Sequence, residues 1–129
     1  MPRFMIIFLF LCSSAFASEQ PISRFNQHYK ESQALARNGE FAQAADAAIQ
    51  ALKIAEEIEL GQEQIANLQF NIGFLLNQSR RYPQACEAFE LALENYEALQ
   101  GDTSPYLINT LDNLGSCYSE QTSKGNLAK

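Results

Sequence analysis

The stretch that decides the fold is Asn71-Ile-Gly-Phe-Leu-Leu-Asn-Gln-Ser-Arg-Arg-Tyr-Pro-Gln-Ala-Cys-Glu-Ala-Phe-Glu-Leu-Ala-Leu93. Most of its residues favour helix, and the break at Pro83 suits the start of a second helix. Gly73 and Ala85 stand twelve positions apart across that break. Because both are small, two antiparallel helices can approach closely there. Phe89 is then expected to fill the gap to the next helix, so the stretch predicts a helical hairpin.

The same pattern recurs along the chain as an internal repeat. A shift of 41 residues superposes the second helical segment on the fourth, and a shift of 42 superposes the third on the fifth. The second shift pairs Asn67 with Asn109, Asn71 with Asn113, and Gly73 with Gly115. Breaks at Gly39, Gly61, Pro83 and Gly101 predict five helices, at 22–38, 41–60, 62–79, 83–100 and 104–122. Short connections make them antiparallel, so the predicted fold is all-α, with helical hairpins stacked as a short α-solenoid.

These residues resemble the tetratricopeptide repeat. The second hairpin carries most of that pattern, in Ile72-Gly73, Leu76, Tyr82, Ala85, Phe89 and Ala92-Leu93. The first hairpin carries Ser32, Leu35, Gly39, Phe41, Ala44, Ala51 and Leu52, and a third unit begins with Leu114-Gly115 and Tyr118. The period near 42 is similar to the longer kinesin-light-chain-like subtype. The resemblance implies about two and a half repeats and a non-enzymatic protein-interaction module.

The resemblance also implies a binding groove. In this family the first helix of each unit lines a concave surface, and asparagines at the places of Asn71 and Asn113 hold an extended peptide. An asparagine offers a donor and an acceptor, so it can bind both groups of a peptide bond. The alternatives are that the asparagines are merely solvated and that the aromatic residues belong to the core. The implied peptide-binding residues are Tyr29, Lys30, Gln33, Arg37, Asn67, Phe70, Asn71, Phe74, Asn77, Asn109, Asp112 and Asn113.

Residues 1–17 are predicted to be a cleaved secretory signal peptide. Arg3 gives a positive start, residues 4–11 are an unbroken apolar run, and Ala15-Phe16-Ala17 matches a small-x-small cleavage site. The run is too short for a membrane span, which needs roughly 20 residues. The alternatives are a core helix, an uncleaved anchor and a lipoprotein cysteine at Cys12. The domain division is therefore 1–17 signal peptide and 18–129 repeat domain, with a periplasmic or secreted location.

Two cysteines, Cys86 and Cys117, remain after the predicted cleavage. An oxidising compartment permits a disulfide between them. Two half-buried small residues on separate helices are the other interpretation, since the spacing matches no recognisable disulfide framework. The sequence leaves both open.

Composition restricts the classes of function. The chain has 129 residues, a formal net charge of −6 and a pI near 4.7. Such an acidic chain argues against nucleic acid and against anionic membranes as partners. His28 is the only histidine, and no nucleophile elbow, phosphate-binding glycine loop or Cys-x-x-Cys pair is present. We therefore predict a protein or peptide partner, no enzyme activity, no metal or cofactor, and no membrane span after cleavage.

The last helix supports an alternative function. Its apolar residues recur at spacings of four, three and four and form one stripe, Leu107, Leu111, Leu114 and Tyr118. In a full repeat a further helix would cover part of this stripe, and an exposed apolar patch often marks an interface. The alternative is a structural or assembly subunit of a bacterial envelope complex that docks or self-associates through this helix.

Overall fold

The computed structural model describes residues 2–100 and 105–127, with side chains for residues 20–99 and 105–125. In these ranges the chain forms five α-helices and no strand. They are α1 (Pro2–Arg37), α2 (Phe41–Glu57), α3 (Gln62–Gln78), α4 (Tyr82–Gln100) and α5 (Pro105–Leu127). Each helix packs against the next along the chain, and α3 touches α5 only marginally. The predicted fold class, an all-α stack of helical hairpins, is confirmed.

The three described connections between α1 and α4 share one backbone turn. The central residues Gly39, Glu59 and Arg80 have φ angles of 76°, 54° and 63°. In each turn the next N–H donates to a carbonyl five residues earlier. These bonds, each 2.9 Å long, run from Glu40 to Leu35, from Leu60 to Ala55 and from Arg81 to Leu76. This is the Schellman arrangement, which satisfies the last carbonyls of a helix and turns the chain back.

Two helices end more than one residue away from the predicted position. α2 ends at Glu57 and not at residue 60, because Glu59 and not Gly61 adopts the left-handed conformation of the turn. Gly61 instead directly precedes α3 as its N-cap residue. α5 continues to Leu127, past the predicted end at residue 122. The break expected at Gly101, like the rest of residues 101–104, lies outside the described residues.

α1 is longer than predicted at its N-terminus. Its backbone is helical from Pro2, so the helix expected to begin at residue 22 is the C-terminal part of a longer helix. Pro21 lies inside this helix, where the missing N–H of proline removes one helical hydrogen bond. Side chains before residue 20 are outside the described part of the chain. The signal peptide at 1–17 and the division at residue 17 therefore stay predictions.

The core around α2 is built from small residues. The alanines of α2 from Ala44 to Ala55 are buried. Their small side chains let the neighbouring helices α1 and α3 pack closely against α2. Ser32 of α1 is also buried, and its Oγ donates a hydrogen bond to the carbonyl of Ala44 at 2.8 Å. Ser32 and Ala44, two of the small residues of the repeat pattern, thus lie at a helix–helix contact.

Phe89 is fully buried between α3 and α4. Its ring lies over Gly73, where a β-carbon would stand 2.8 Å from the ring atoms. The same ring meets Phe70 edge-to-face, with centroids 5.6 Å apart. Phe89 therefore fills the space that Gly73 leaves in its own hairpin, and not simply the gap to the next helix that the sequence predicts.

A disulfide joins α4 to α5. Cys86 and Cys117 are bonded, with Cα atoms 5.7 Å apart, and both side chains are buried. Of the two interpretations that the sequence leaves open, the structure has the paired one. Lys124 of α5 also lies over the ring of Tyr82 of α4, with its Nζ 4.8 Å from the centroid. α5 is thus tied to α4 by a covalent bond as well as by packing.

The apolar stripe predicted on α5 divides between two faces. Leu107 and Leu114 are 3% and 8% exposed and pack into the core. Leu111 and Tyr118 are 52% and 44% exposed. A docking surface that includes Leu107 and Leu114 is therefore wrong, because those two side chains already pack against the rest of the stack.

Candidate peptide-binding groove

A cleft of about 440 Å³ lies between α1 and α3. Its walls come from Tyr29, Gln33 and Arg37 on α1 and from Asn71 and Phe74 on α3. Smaller or more deeply buried side chains form its floor, which consists of Ser32, Ala36, Ala48, Leu68 and Leu75. Five of the twelve predicted peptide-binding residues thus line one cavity.

Helical spacing accounts for this convergence. Tyr29, Gln33 and Arg37 are four residues apart, so they lie one above the other along one face of α1. On α3, Leu68 and Leu75 are buried and Phe74 is 43% exposed. Apart from Ser32 the floor is therefore apolar, while the rim presents side chains that a ligand can reach.

One positive charge lines the cleft. Arg37 alone among the described lining residues has a charged side chain at neutral pH, although the chain as a whole carries a net −6. Among the residues with described side chains, Arg37 forms no ion pair; the two pairs present are formed by other residues. Gln33 and Asn71 add an amide on each wall, and each amide can donate and accept. The site is suited to main-chain groups and to a carboxylate.

Two aromatic rings flank the cleft. Tyr29 stacks on Phe25, one turn earlier on α1, with ring centroids 5.8 Å apart and planes 12° apart. This contact restricts the tyrosine ring, whereas Phe74 leaves much of its ring in solvent. A bulky apolar side chain that enters between the two rings would remove apolar surface from water.

Lys30 does not line this cleft. It lies instead beside a separate, shallow depression on α1, formed with Ile22, Ser23, Asn26 and Gln27. The two cations predicted for the first unit therefore face different surfaces.

Asn67 and Phe70 contribute mainly to the contact between α3 and α4. The hydroxyl of Tyr96 donates a hydrogen bond to the side-chain oxygen of Asn67. Phe70 is half-buried against Phe89. For this residue the alternative interpretation, that the aromatic side chain belongs to the core, is therefore correct. Asn77 is half-buried as well, and its Oδ1 has no donor among the described groups.

The described part of the third unit supplies none of the cleft residues. Asn109 and Asp112 are exposed on α5, and Asn113 is half-buried there. The Nδ2 of Asn113 donates to the carbonyl of Asn109 at 2.7 Å, within its own helix. The structure therefore does not bring Asn113 and Asn71 into one cavity.

None of the five floor residues is among the predicted binding residues, and three of them, Ala48, Leu68 and Leu75, are apolar core residues. Apolar periodicity assigns them to the core, and they are indeed buried. One side of each nevertheless faces the cleft. The sequence signal that could have revealed the floor is Ala48, because a small residue on α2 leaves room between the two helices that flank it.

Two tyrosines outside the cleft have a pKa above the ordinary value of 10.0. Burial raises the pKa of Tyr96 most, and the nearby Tyr106 and Glu63 raise it further. The hydrogen bond to Glu90 is the main cause of the raised pKa of Tyr118. Both hydroxyls therefore stay neutral at physiological pH and act as hydrogen-bond donors.

Two other kinds of site are not found in the described part of the chain. No group of three His, Cys, Asp or Glu side chains there is arranged to hold a metal ion. No helix in the same residues has the length and apolarity that crossing a membrane requires.

The fold and the cleft define an all-α protein of stacked helical hairpins with a cleft between α1 and α3. Residues 64–124, which extend from α3 into α5, match the tetratricopeptide repeat family. The matched segment covers slightly less than half of the chain and includes the hairpin with the strongest sequence resemblance. Tetratricopeptide repeats are generally protein–protein interaction modules. No curated protein matches this sequence.

Proposed function

We propose that the protein is a non-enzymatic interaction module that binds an extended segment of another protein in the cleft between α1 and α3. The observation that carries this proposal is the lining of the cleft, where two aromatic rings, two amides and one cation surround an apolar floor. An extended segment has unpaired peptide groups, and Gln33 and Asn71 can bind them. The tetratricopeptide match supports a protein partner over a small molecule.

The preferred segment has a bulky apolar side chain beside an acidic one. The apolar side chain fits between Tyr29 and Phe74, above Leu68 and Leu75. The carboxylate is attracted to Arg37, because that guanidinium has no acidic partner among the described side chains.

The whole of residues 18–129 is proposed to consist of about two and a half repeats of the kinesin-light-chain-like subtype. The support is the period of 41 to 42 residues, together with the position of Ser32. This residue lies 41 positions before Gly73, and both are buried small residues at helix contacts.

The proposed location is the periplasm or the exterior of the cell, after removal of residues 1–17. The leader-like start and the Cys86–Cys117 disulfide support it, because disulfides persist in oxidising compartments. Cell fractionation with mass spectrometry of the purified chain should find an N-terminus at Ser18. A chain recovered from the cytoplasm with Met1 retained would contradict this location.

A set of short extended peptides tests the cleft by fluorescence anisotropy. Peptides with Leu or Phe next to Asp or Glu should bind better than the same peptides with Ala or with Asn and Gln. Phe74→Ala should weaken binding about tenfold, or about 1.4 kcal/mol, since an aromatic contact is lost. Arg37→Gln should remove the preference for acidic residues.

Leu91→Ala is the matched control, because Leu91 is exposed at 41% on α4 and does not line the cleft. It should leave peptide binding unchanged. Equal affinity of Phe74→Ala and Leu91→Ala for every peptide would remove the cleft as the binding site.

The exposed apolar side chains of α5 favour a second candidate, a structural or assembly subunit of a bacterial envelope complex. A subunit of this kind should co-purify in fixed stoichiometry with one large partner. A peptide-binding module should capture short peptides in the absence of any such complex.

A further inference from the structure

The exposed face of α3 continues past the cleft toward the start of the helix. Phe74 and Asn71 line the cleft. Asn67 lies one turn before Asn71 on the same face and is exposed. Four helical residues rise about 6 Å, a distance that about two residues of an extended segment span. A bound segment that follows α3 out of the cleft therefore reaches Asn67.

The side-chain amide of Asn67 is held at one end. The hydroxyl of Tyr96, on α4, donates a hydrogen bond to Oδ1 of Asn67. Tyr96 is 2% exposed, and its ring stacks on that of Tyr106 with centroids 5.4 Å apart and planes 15° apart. Burial raises the pKa of Tyr96, so the hydroxyl keeps its proton and remains a donor. The buried tyrosine therefore decides which end of the amide faces outward.

The outward end of the Asn67 amide is Nδ2. No described group accepts a hydrogen bond from this nitrogen, and an amide NH₂ group can only donate. Asn113 differs, because its Nδ2 already donates to a carbonyl of its own helix. Asn67 is therefore prepared to meet a hydrogen-bond acceptor.

The first hairpin packs without an equivalent of this hydrogen bond. Asn26 and Ala55, 41 residues earlier, take the places of Asn67 and Tyr96, and alanine has no hydroxyl. The two helices that carry them, α1 and α2, nevertheless pack against each other. The tyrosine hydroxyl is thus not a requirement of hairpin packing, which favours a role in holding the asparagine.

We propose that the peptide site extends from the cleft to Asn67, and that Tyr96 is a positioning residue that holds the Asn67 amide with its N–H groups toward the ligand. The group that Asn67 binds is then an acceptor, and in an extended segment that acceptor is a main-chain carbonyl. This inference rests on the proposed function and adds a second contact region to the same site.

The extension gives the bound segment a direction. α1 and α3 run the same way, because each is antiparallel to α2. Arg37, the last residue of α1, and Asn67, in the first half of α3, therefore lie at opposite ends of the site. The carbonyl that Asn67 binds lies on the side of the apolar residue of the segment, away from its acidic residue.

The charge at this end also differs from the charge at Arg37. Glu63 lies one turn before Asn67, is exposed, and forms no ion pair among the described side chains. A carboxylate of the ligand would be repelled there. The residues of the segment that reach Asn67 should therefore be neutral or basic.

Peptides of two lengths test the extension by fluorescence anisotropy. The short peptide has Phe next to Asp, and the longer peptides carry two further alanines on either the Phe side or the Asp side. For wild type, extension on the Phe side should lower the dissociation constant about fivefold, the effect of one added hydrogen bond. Extension on the Asp side should give no such gain.

The ratio of the dissociation constants of the short peptide and the Phe-side extended peptide isolates the Asn67 contact, because a general disturbance of the fold weakens both peptides alike. Asn67→Asp still accepts the Tyr96 hydroxyl but presents no N–H, so the ratio should fall to about one. Tyr96→Phe keeps Asn67 but removes the bond that orients it, so the ratio should fall as well. The double variant should lose nothing further, since both changes remove one contact.

Asn26→Asp is the matched control, because it adds the same charge at the equivalent position of α1. It should keep the fivefold ratio. A ratio that falls as far in Asn26→Asp as in Asn67→Asp would mean that charge alone causes the effect, and the assignment to Asn67 would be wrong.

The remaining outcomes separate this inference from the proposed function. An Asn67→Asp variant that keeps the full ratio would overturn the extension, and a Tyr96→Phe variant that keeps it would overturn the positioning role. If Phe74→Ala weakens the short peptide but extension adds nothing to wild type, the proposed function stands and this inference is wrong. If the short peptide does not bind at all, the proposed function fails and this inference fails with it.

Discussion

Gly73 and Gly115 hold the same position in two successive repeats, but their surroundings differ. An aromatic ring lies directly over Gly73, while the place that a β-carbon would take on Gly115 is open space. Glycine inside a helix costs about 0.5–1 kcal/mol relative to alanine. At Gly73 the close approach of Phe89 compensates for that cost. In the single chain no contact of this kind compensates at Gly115.

Alanine substitution should therefore have opposite effects at the two glycines. Gly73→Ala should destabilise the fold by about 1–3 kcal/mol, because a methyl group is forced against the ring of Phe89. Gly115→Ala should stabilise the chain by about 0.5–1 kcal/mol. Urea unfolding of both variants measures the difference. Effects of the same sign would show that the two sites do not differ as described.

The raised pKa of Tyr96 predicts a loss of stability at high pH. Its folded-state pKa lies above the unfolded value of 10.0, so the unfolded chain releases the proton more readily. The free energy of unfolding should therefore fall as the pH rises through 10 and beyond, and should not change from this cause near neutrality.

Tyr96→Phe should reduce that alkaline loss, although it also lowers the baseline by removing the hydrogen bond to Asn67. Denaturant midpoints at about pH 8 and about pH 10.5, compared for wild type and variant, measure the pH-dependent part alone. Tyr118→Phe should reduce the loss in the same direction, because the pKa of Tyr118 is also raised. If both variants lose as much stability as wild type between these two pH values, the prediction is wrong.

In the described stack α5 packs on α4 and barely touches α3, so a single neighbouring helix provides most of its packing. The disulfide compensates by linking two helices across a sequence separation of 31 residues. A cross-link of that span is expected to contribute about 3–4 kcal/mol, mainly by restricting the unfolded chain.

Reduction of the disulfide should lower the melting temperature, and amide protection should fall first in α5. Thermal unfolding and hydrogen exchange with and without a thiol reductant measure both effects. A Cys86→Ala/Cys117→Ala variant is the control, because the reductant should not change its stability. If the melting temperature of wild type does not change on addition of the reductant, the disulfide does not have this stabilising role.

At the scale of the whole molecule, the stacking of hairpins could be predicted from sequence because a short-range pattern encodes it. Small residues such as Gly73 and Ala85 mark where helices meet, and the pattern recurs at a fixed period. The helix ends were less predictable. Glu59 adopts a conformation usual for glycine, while Gly61, two residues later, does not.

Site residues could be predicted from the sequence only where the spacing along a single helix places them on one face. Tyr29, Gln33 and Arg37 follow from the spacing on α1 alone, and the structure brings them together in the cleft. The burial of Phe70 and of Leu114 depends on which neighbouring helix covers each side of α3 and α5. The periodicity of apolar residues does not contain that information. The pairing of Cys86 with Cys117 likewise depends on the distance between α4 and α5, which is a property of the packed stack.

The three matching turns after α1, α2 and α3 are formed by main-chain groups, whereas side chains line the cleft. Because backbone hydrogen bonds of one kind end each of these helices, the turns themselves use no side chain of the cleft. Side chains on the cleft wall can therefore change without removing a turn hydrogen bond. New specificities can evolve on this scaffold by wall substitutions, provided that the second position after each helix tolerates a left-handed backbone.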